Sequence, residues 1–231
     1  MLAASAERID ELLRPEDVVL DLGGWAAPFE RADWVVDLLP YETRGLYGSS
    51  NPERERFDAT TWIVRDLCDR EPLPFADDEI DFAICSHTLE DLRDPVWVCA
   101  ELARVAKAGY VEVPSRLEEQ SYGVHGPWVG WSHHHWLVDV DSPGARLEFV
   151  FKPHVLHGPE QFHFPAGFAE RLSAAERVQT LFWEGSFGAA ERIFTTPEEL
   201  DAYLGDFVTA SGSGSGPRRG LRRRPRSGRG A

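Results

Sequence analysis

The first half of the chain is built on short apolar runs that are apolar almost throughout, and this most constrains its fold. They are Asp17-Val18-Val19-Leu20-Asp21-Leu22, Asp33-Trp34-Val35-Val36-Asp37, Thr61-Trp62-Ile63-Val64-Arg65-Asp66, Ile80-Asp81-Phe82-Ala83-Ile84-Cys85 and Tyr110-Val111-Glu112-Val113. Runs of this kind suit strands covered on both faces, as in a parallel sheet joined by crossovers. Helical spacing appears at Ala3 to Leu13, stopped by Pro15, at Thr88 to Asp94, and at Pro95 to Lys107 with Pro95 in a first turn. The expected fold is α/β, a doubly wound and mostly parallel sheet. His133 to Asp141 and Ala145 to Lys152 flank Ser142-Pro143-Gly144 and read as a C-terminal antiparallel β-hairpin at one sheet edge. Residues 160–207 are aromatic and helical in parts, with a helix start at Thr196-Pro197-Glu198-Glu199. The organisation this suggests is a main domain over 1–158 including the hairpin, a helical elaboration over 159–207, and a disordered Gly/Ser/Arg tail over 208–231.

A chain of 231 residues, 42% hydrophobic, can bury a sizeable core. Its formal charge of −15 conceals a division: the last 21 residues hold seven arginines and no acid, leaving −22 on the rest. A body that acidic repels nucleic-acid phosphates, so no nucleic-acid partner is expected. The tail reads as a solvated extension. No apolar run approaches the ~20 residues needed to cross a bilayer, and MLAASAERIDELL puts acids where a secretory signal needs a basic flank. A cytoplasmic protein without a membrane partner is expected. Cys68, Cys85 and Cys99 lack CxxC spacing and read as core packing.

In an open parallel sheet the ligand lies beyond the carboxyl ends of the strands, where strand order reverses. The residues following each run are therefore the informative ones. Asp21-Leu22-Gly23-Gly24 offers glycines that let the backbone approach a ligand. Asp37 is placed to accept hydrogen bonds from vicinal ribose hydroxyls. Asp66-Leu67 follows the third run and Ser86-His87 the fourth.

Here the chain resembles the class I S-adenosylmethionine-dependent methyltransferases, in their small-molecule, type 11-like branch. The resemblance is carried by VVLDLGG at 18–24, Asp37, RDLCDREPLPFADDEIDFAICSHTLEDLRDP at 65–95 and AGYVEVPSR at 108–116. It implies a Rossmann-like methyltransferase fold and S-adenosylmethionine as cofactor. Residue by residue, it implies that the turn of Asp21, Gly23 and Gly24 passes the methionine moiety and that Asp37 holds the ribose. Asp66 and Leu67 would flank the adenine, and Ser86 and His87 would face the reaction centre. The sequence departs from the pattern twice: the turn lacks a third glycine and clips the first crossover to about two helical turns, and Asp91 stands where the family more often has His. A dinucleotide site would want G-x-G-x-x-G opening a long helix, which DLGGWAAP does not supply.

Seven of the eight histidines lie at or beyond residue 125. If His133 to His135 open a strand, His133 and His135 share a face with Trp131, and His134 points the other way with Trp136. Methyl transfer to a hydroxyl needs a positioned nucleophile and a proton acceptor. His87 is the first choice for that base, followed by His133 or His135. The histidine pair could also grip a divalent ion with Asp139 or Glu112, but no third ligand has a diagnostic spacing, so no metal is assigned. Arg116 is read either as an anchor for an acceptor anion or as a surface ion pair with Glu118 or Glu119. The expected activity is O-methylation of a small-molecule hydroxyl. The alternatives are a non-catalytic cofactor-binding domain docking a protein, and metal-assisted O-methyl transfer.

Overall fold

The apolar runs become strands within about two residues of the expected positions. A computed structural model describes residues 1–212. Helix α1 (Ala3–Leu12) leads into β1 (Val19–Leu22), β2 (Trp34–Asp37), β3 (Trp62–Val64) and β4 (Phe82–Ser86). Helix α2 (Pro95–Val105) and β5 (Ala108–Pro114) follow, then the short α3 (Arg116–Glu119), β6 (Trp136–Asp141), β7 (Arg146–Phe151), β8 (Val178–Glu184), β9 (Gly188–Glu191) and α4 (Pro197–Gly212). The central sheet runs β3-β2-β1-β4-β5-β8, parallel except for β8. Strand order therefore reverses between β1 and β4. β1, β2, β4 and β5 bury side chains on both faces, and β3 forms an edge with Val64 exposed. The fold is the expected mixed α/β, Rossmann-like arrangement with a mostly parallel central sheet.

Alternation along the strands divides the core. Leu20, Leu22, Val36, Ala83, Cys85, Val111 and Val113 face α2, through its Val98, Cys99, Leu102 and Val105, and the second sheet. Val19, Val35, Phe82, Ile84 and Tyr110 face α1 through Ile9, together with Phe57 and Trp62. Asp94 caps α2 by accepting from the Trp97 amide at 3.2 Å, and Pro95 occupies the first turn as the sequence suggests.

Several expectations are corrected. The hairpin forms, with Trp136 opposite Phe151 and Asp141 opposite Arg146, but it pairs with β9 as a separate sheet β6-β7-β9 and leaves the central edge to β8. β8 lies in the segment read as helical; its partner β5 is distant in sequence, so local periodicity does not announce the pairing. The β1–β2 connection holds no helix. Its side chains instead brace the chain entering β1: Arg31 donates to the carbonyls of Arg14, Pro15 and Asp17, and Asp33 accepts from the Val19 amide. Thr88 to Asp94 contains only a single 3₁₀ turn, Leu89–Asp91. Helix α4 continues through Gly212, and the expected tail lies from residue 213 onward outside the described residues. Among the described residues no helix is long and apolar enough to cross a membrane.

Candidate active site

A cleft of about 820 Å³ opens where the strand order reverses, and Gly23, Asp37, Asp66, Leu67, His87 and the run His133 to His135 all line it. The glycine turn after β1 is fixed by its surroundings. Gly23 has φ +80°, and an added Cβ would sit 2.0 Å from the Thr88 hydroxyl. At Gly24 a Cβ would meet Asp21 Oδ2 at 2.3 Å. Asp21 is buried beneath this turn, where it accepts from the Phe29 amide at 2.8 Å. Burial raises its pKa to about 7 against the lowering effect of that hydrogen bond, with Asp37 adding to the rise. Asp21 and Gly24 thus shape the turn from below, while Gly23 reaches the cleft.

Asp37 ends β2 facing the same space. Oδ2 accepts from the Trp25 amide at 3.0 Å and Oδ1 from the Leu39 amide at 2.9 Å, so the turn and the acid hold each other in register. Burial raises its pKa, and the amide bonds partly offset this. Each oxygen keeps a second lone pair. Leu67 is buried on the adjoining wall between the exposed Leu38 and Leu39 and Asp66. Asp66 ties this end to the far lip through Arg93 at 3.0 Å.

The other end is built on the β4 and β5 ends. His87 follows β4 at φ +54°, a left-handed conformation strained for a residue with a Cβ, with its amide donating to the Glu112 carbonyl at 2.9 Å. Its Nε2 stands 3.1 Å from Glu112 Oε1 and its Nδ1 3.4 Å from Glu90 Oε1. Burial alone would lower its pKa, but Glu112 and Glu90 win and raise it to about 9. Glu112 is itself fixed by Tyr110 and by the Leu2 amide at 2.9 Å. Although burial raises its pKa, those bonds and His87 hold it down at about 2. Ser86 turns away from the cleft to donate to Glu112 at 3.3 Å. His87 therefore carries a proton at neutral pH, the opposite of the charge state that the base role requires.

The histidine run is not in a strand. β6 begins at Trp136, and His133 lies in a turn, so the expected alternation fails. His133 and His134 instead pack with ring centroids 4.5 Å apart. His134 turns inward, its Nδ1 2.8 Å from the buried Glu119, whose other oxygen accepts from Lys152 at 2.7 Å. His135 is exposed at the cleft, its backbone bonded to Glu90 and Lys152. Asp139 is committed elsewhere, to Tyr203 at 2.7 Å, so the proposed ligand set with His133 and His135 does not assemble. Arg116 is buried, donating to Gln120 and the Tyr203 carbonyl between the rings of Tyr203 and Phe207; it serves neither role expected of it.

Two cleft residues, Glu90 and Glu118, and the buried Glu119 behind His134 are not signalled by the sequence. In the sequence Glu90 and Glu119 look like ordinary exposed helix acids. Their only signal is position, directly after a strand end, where the topology gathers ligand-facing groups.

A glycine turn, an acid at the next strand end and an apolar slot at the reversal of strand order form the kind of crevice in which open α/β sheets receive nucleosides. Residues 47–111 match the family model described as a methyltransferase domain. The matched segment spans β3, β4, α2 and part of β5, and the domains it resembles, the S-adenosylmethionine-dependent methyltransferases, use S-adenosylmethionine as cofactor. No curated protein matches the chain. Among solved structures it is similar to the YcgJ protein from Bacillus subtilis, at 20% identity and a TM-score of 0.37 over 49% of this chain and 52% of that one. A SAM-dependent methyltransferase from Aquifex aeolicus gives 19% and 0.36 over 53% and 69%. An S-adenosylmethionine-dependent methyltransferase from Mesorhizobium loti gives 18% and 0.37 over 65% of each chain. The chain spans about half the length of the first of these.

The residues present fit the cofactor. Asp37 has free lone pairs for two hydroxyls beside an apolar slot at Leu38, Leu39 and Leu67, and the cleft volume falls in the range that encloses small ligands, ~300–1,000 Å³.

Proposed function

We propose that the protein moves a methyl group from S-adenosylmethionine to a hydroxyl oxygen of a small acceptor seated at the His87 end of the cleft. One observation carries this reading: a single continuous cleft has the acid Asp37 at one end and the His87 and His133–His135 imidazoles at the other. When bound, the cofactor supplies a sulfonium methyl open to in-line attack.

Asp37 anchors the nucleoside and Leu67 packs beside its base, while Gly23 leaves room above the turn. Cys85 and Cys99, both buried, take no part. His87 is protonated on both ring nitrogens at neutral pH. Both of its N–H groups face carboxylates, so the ring acts on the acceptor hydroxyl through its positive charge, drawing it toward ionisation, and does not abstract the proton. The Glu112 carboxylate keeps the ring charged and fixes its plane. The strained backbone at His87 is the cost of aiming that ring into the cleft.

The test pairs two measurements on His87→Gln. Cofactor affinity by isothermal titration should be unchanged, and methyl transfer with a responsive acceptor should fall about 10²-fold or more. Transfer at the wild-type rate would remove His87 from the reaction. Cofactor binding with no methylated product from any hydroxyl compound would favour the non-catalytic, protein-docking alternative.

A further inference from the structure

The acceptor half of the cleft gathers carboxylates and imidazoles. Glu90, Asp91 and Glu118 line it together with His87, His133, His134 and His135. Glu118 is paired with Arg177 at 2.7 Å and the buried Glu90 with His87 at 3.4 Å, which leaves Asp91 beside the histidine run.

Asp91, His133 and His134 each offer one ligand atom, and the three atoms lie within 4.8 Å of one another. His134 Nδ1 is taken by Glu119, which leaves Nε2 directed at the cleft, 4.0 Å from Asp91 Oδ1. A carboxylate fixing one ring nitrogen so that the other presents its lone pair is the supporting arrangement seen behind metal-ligating histidines. Here it is rigid, because Glu119 is held in turn by Lys152 and all three side chains are buried. Asp91 and His133 are exposed and free to close the remaining distance. Donors bound to one ion at ~2.0–2.2 Å stand roughly 3.5 Å apart, so side-chain rotations of about an ångström suffice.

From this we infer that Asp91, His133 and His134 form a site for a divalent first-row transition-metal ion. Two imidazoles and one carboxylate are a donor set for zinc, iron, cobalt or manganese, and poor for magnesium or calcium, which prefer oxygen alone. Three protein ligands leave coordination positions open toward the cleft, as in a catalytic site. The role of the ion rests on the methyltransferase reading. With His87 already protonated, the ion is the group that ionises an acceptor hydroxyl bound to it, by coordinating the oxygen and releasing the proton to solvent. Acceptors with two adjacent oxygens fit such open positions best.

The experiment uses the cofactor-free full chain and Co²⁺ alone. Titration followed by visible absorption should show saturable ligand-field bands of one bound ion, displaced by Zn²⁺. His133→Ala and Asp91→Asn, both at exposed positions, should each weaken binding at least tenfold. Glu119→Gln, which removes no ligand, should weaken it by about 10–100-fold. Absence of bands up to millimolar Co²⁺, or affinity unchanged in both His133→Ala and Asp91→Asn with normal circular dichroism, overturns the site. Methylation at full rate in a chelator overturns the ion's role in the reaction. Co²⁺ binding that meets these criteria in a protein without detectable methyl transfer would sustain the site and count against the methyltransferase reading alone.

Discussion

His87 concentrates the chemistry of the site in one side chain. Its ring charge follows from Glu112 and Glu90, both 1% exposed and within 3.4 Å. Because its folded pKa is raised to about 9 from an ordinary 6.5, the pairing contributes stability that is complete below pH 6.5 and is lost as pH rises through 9. The same protonation controls catalysis on this account. Nuclear magnetic resonance of the ring should report a pKa near 9, and methyl transfer should fall as pH passes that value; a ring that titrates near 6.5 would contradict the ion-pair geometry. Asp21 behaves in the opposite sense. Its pKa is raised to about 7 from 3.8, so the folded state prefers the protonated acid and stability declines as pH climbs from about 4 to 7. Asp21→Asn should therefore gain stability relative to the wild type as pH goes from 5 to 8, on the order of a few kcal/mol, in urea unfolding at the two pH values. A constant difference across that range would show that the acid is ionised in the folded protein.

At the scale of elements, the turn after β1 and the connection after β4 lock together. Gly23 is required both by its φ of +80° and by Thr88, whose hydroxyl occupies the place of a Cβ. Gly23→Ala should cost roughly 1–3 kcal/mol from backbone strain together with the clash, and weaken cofactor binding; Thr88→Ala should recover the clash but not the strain. A Gly23→Ala protein as stable as the wild type would show that the turn can move. Trp136 does a related task from the second sheet. Its indole donates to the Leu92 carbonyl at 2.7 Å, and its ring packs against Phe149 and Phe151, which pins the segment bearing Asp91 to β6. Trp136→Phe should lose about 1 kcal/mol in thermal or urea unfolding, the worth of that hydrogen bond.

Across the whole molecule, the central sheet was legible in the sequence and the second layer was not. Strands buried on both faces leave uninterrupted apolar runs, so β1 to β5 could be read locally, and with them Gly23, Asp37, Asp66 and His87 at their ends. The hairpin was equally visible from Ser142-Pro143-Gly144, but where it docks depends on β9 and on contacts remote in the chain. β8 stayed hidden because Val178-Gln179-Thr180 is half-exposed at a sheet edge and carries little apolar signal. The histidine run was visible as composition yet misread as geometry, since alternation assumes a strand that begins only at Trp136. Glu119 shows the limit most plainly. It sits in a four-residue helix, and its partners His134 and Lys152 come from elements beyond it that only the tertiary fold brings near.

The proposed methyl transfer requires a nucleoside held at Asp37. Isothermal titration of S-adenosylmethionine into the wild type, Asp37→Asn and Asp37→Ala addresses it directly. Loss of a doubly accepting carboxylate is expected to weaken binding about ten- to hundredfold in Asp37→Ala, with a smaller loss in Asp37→Asn, which keeps one acceptor oxygen. Equal affinity in all three proteins, each folded by circular dichroism, would contradict the account.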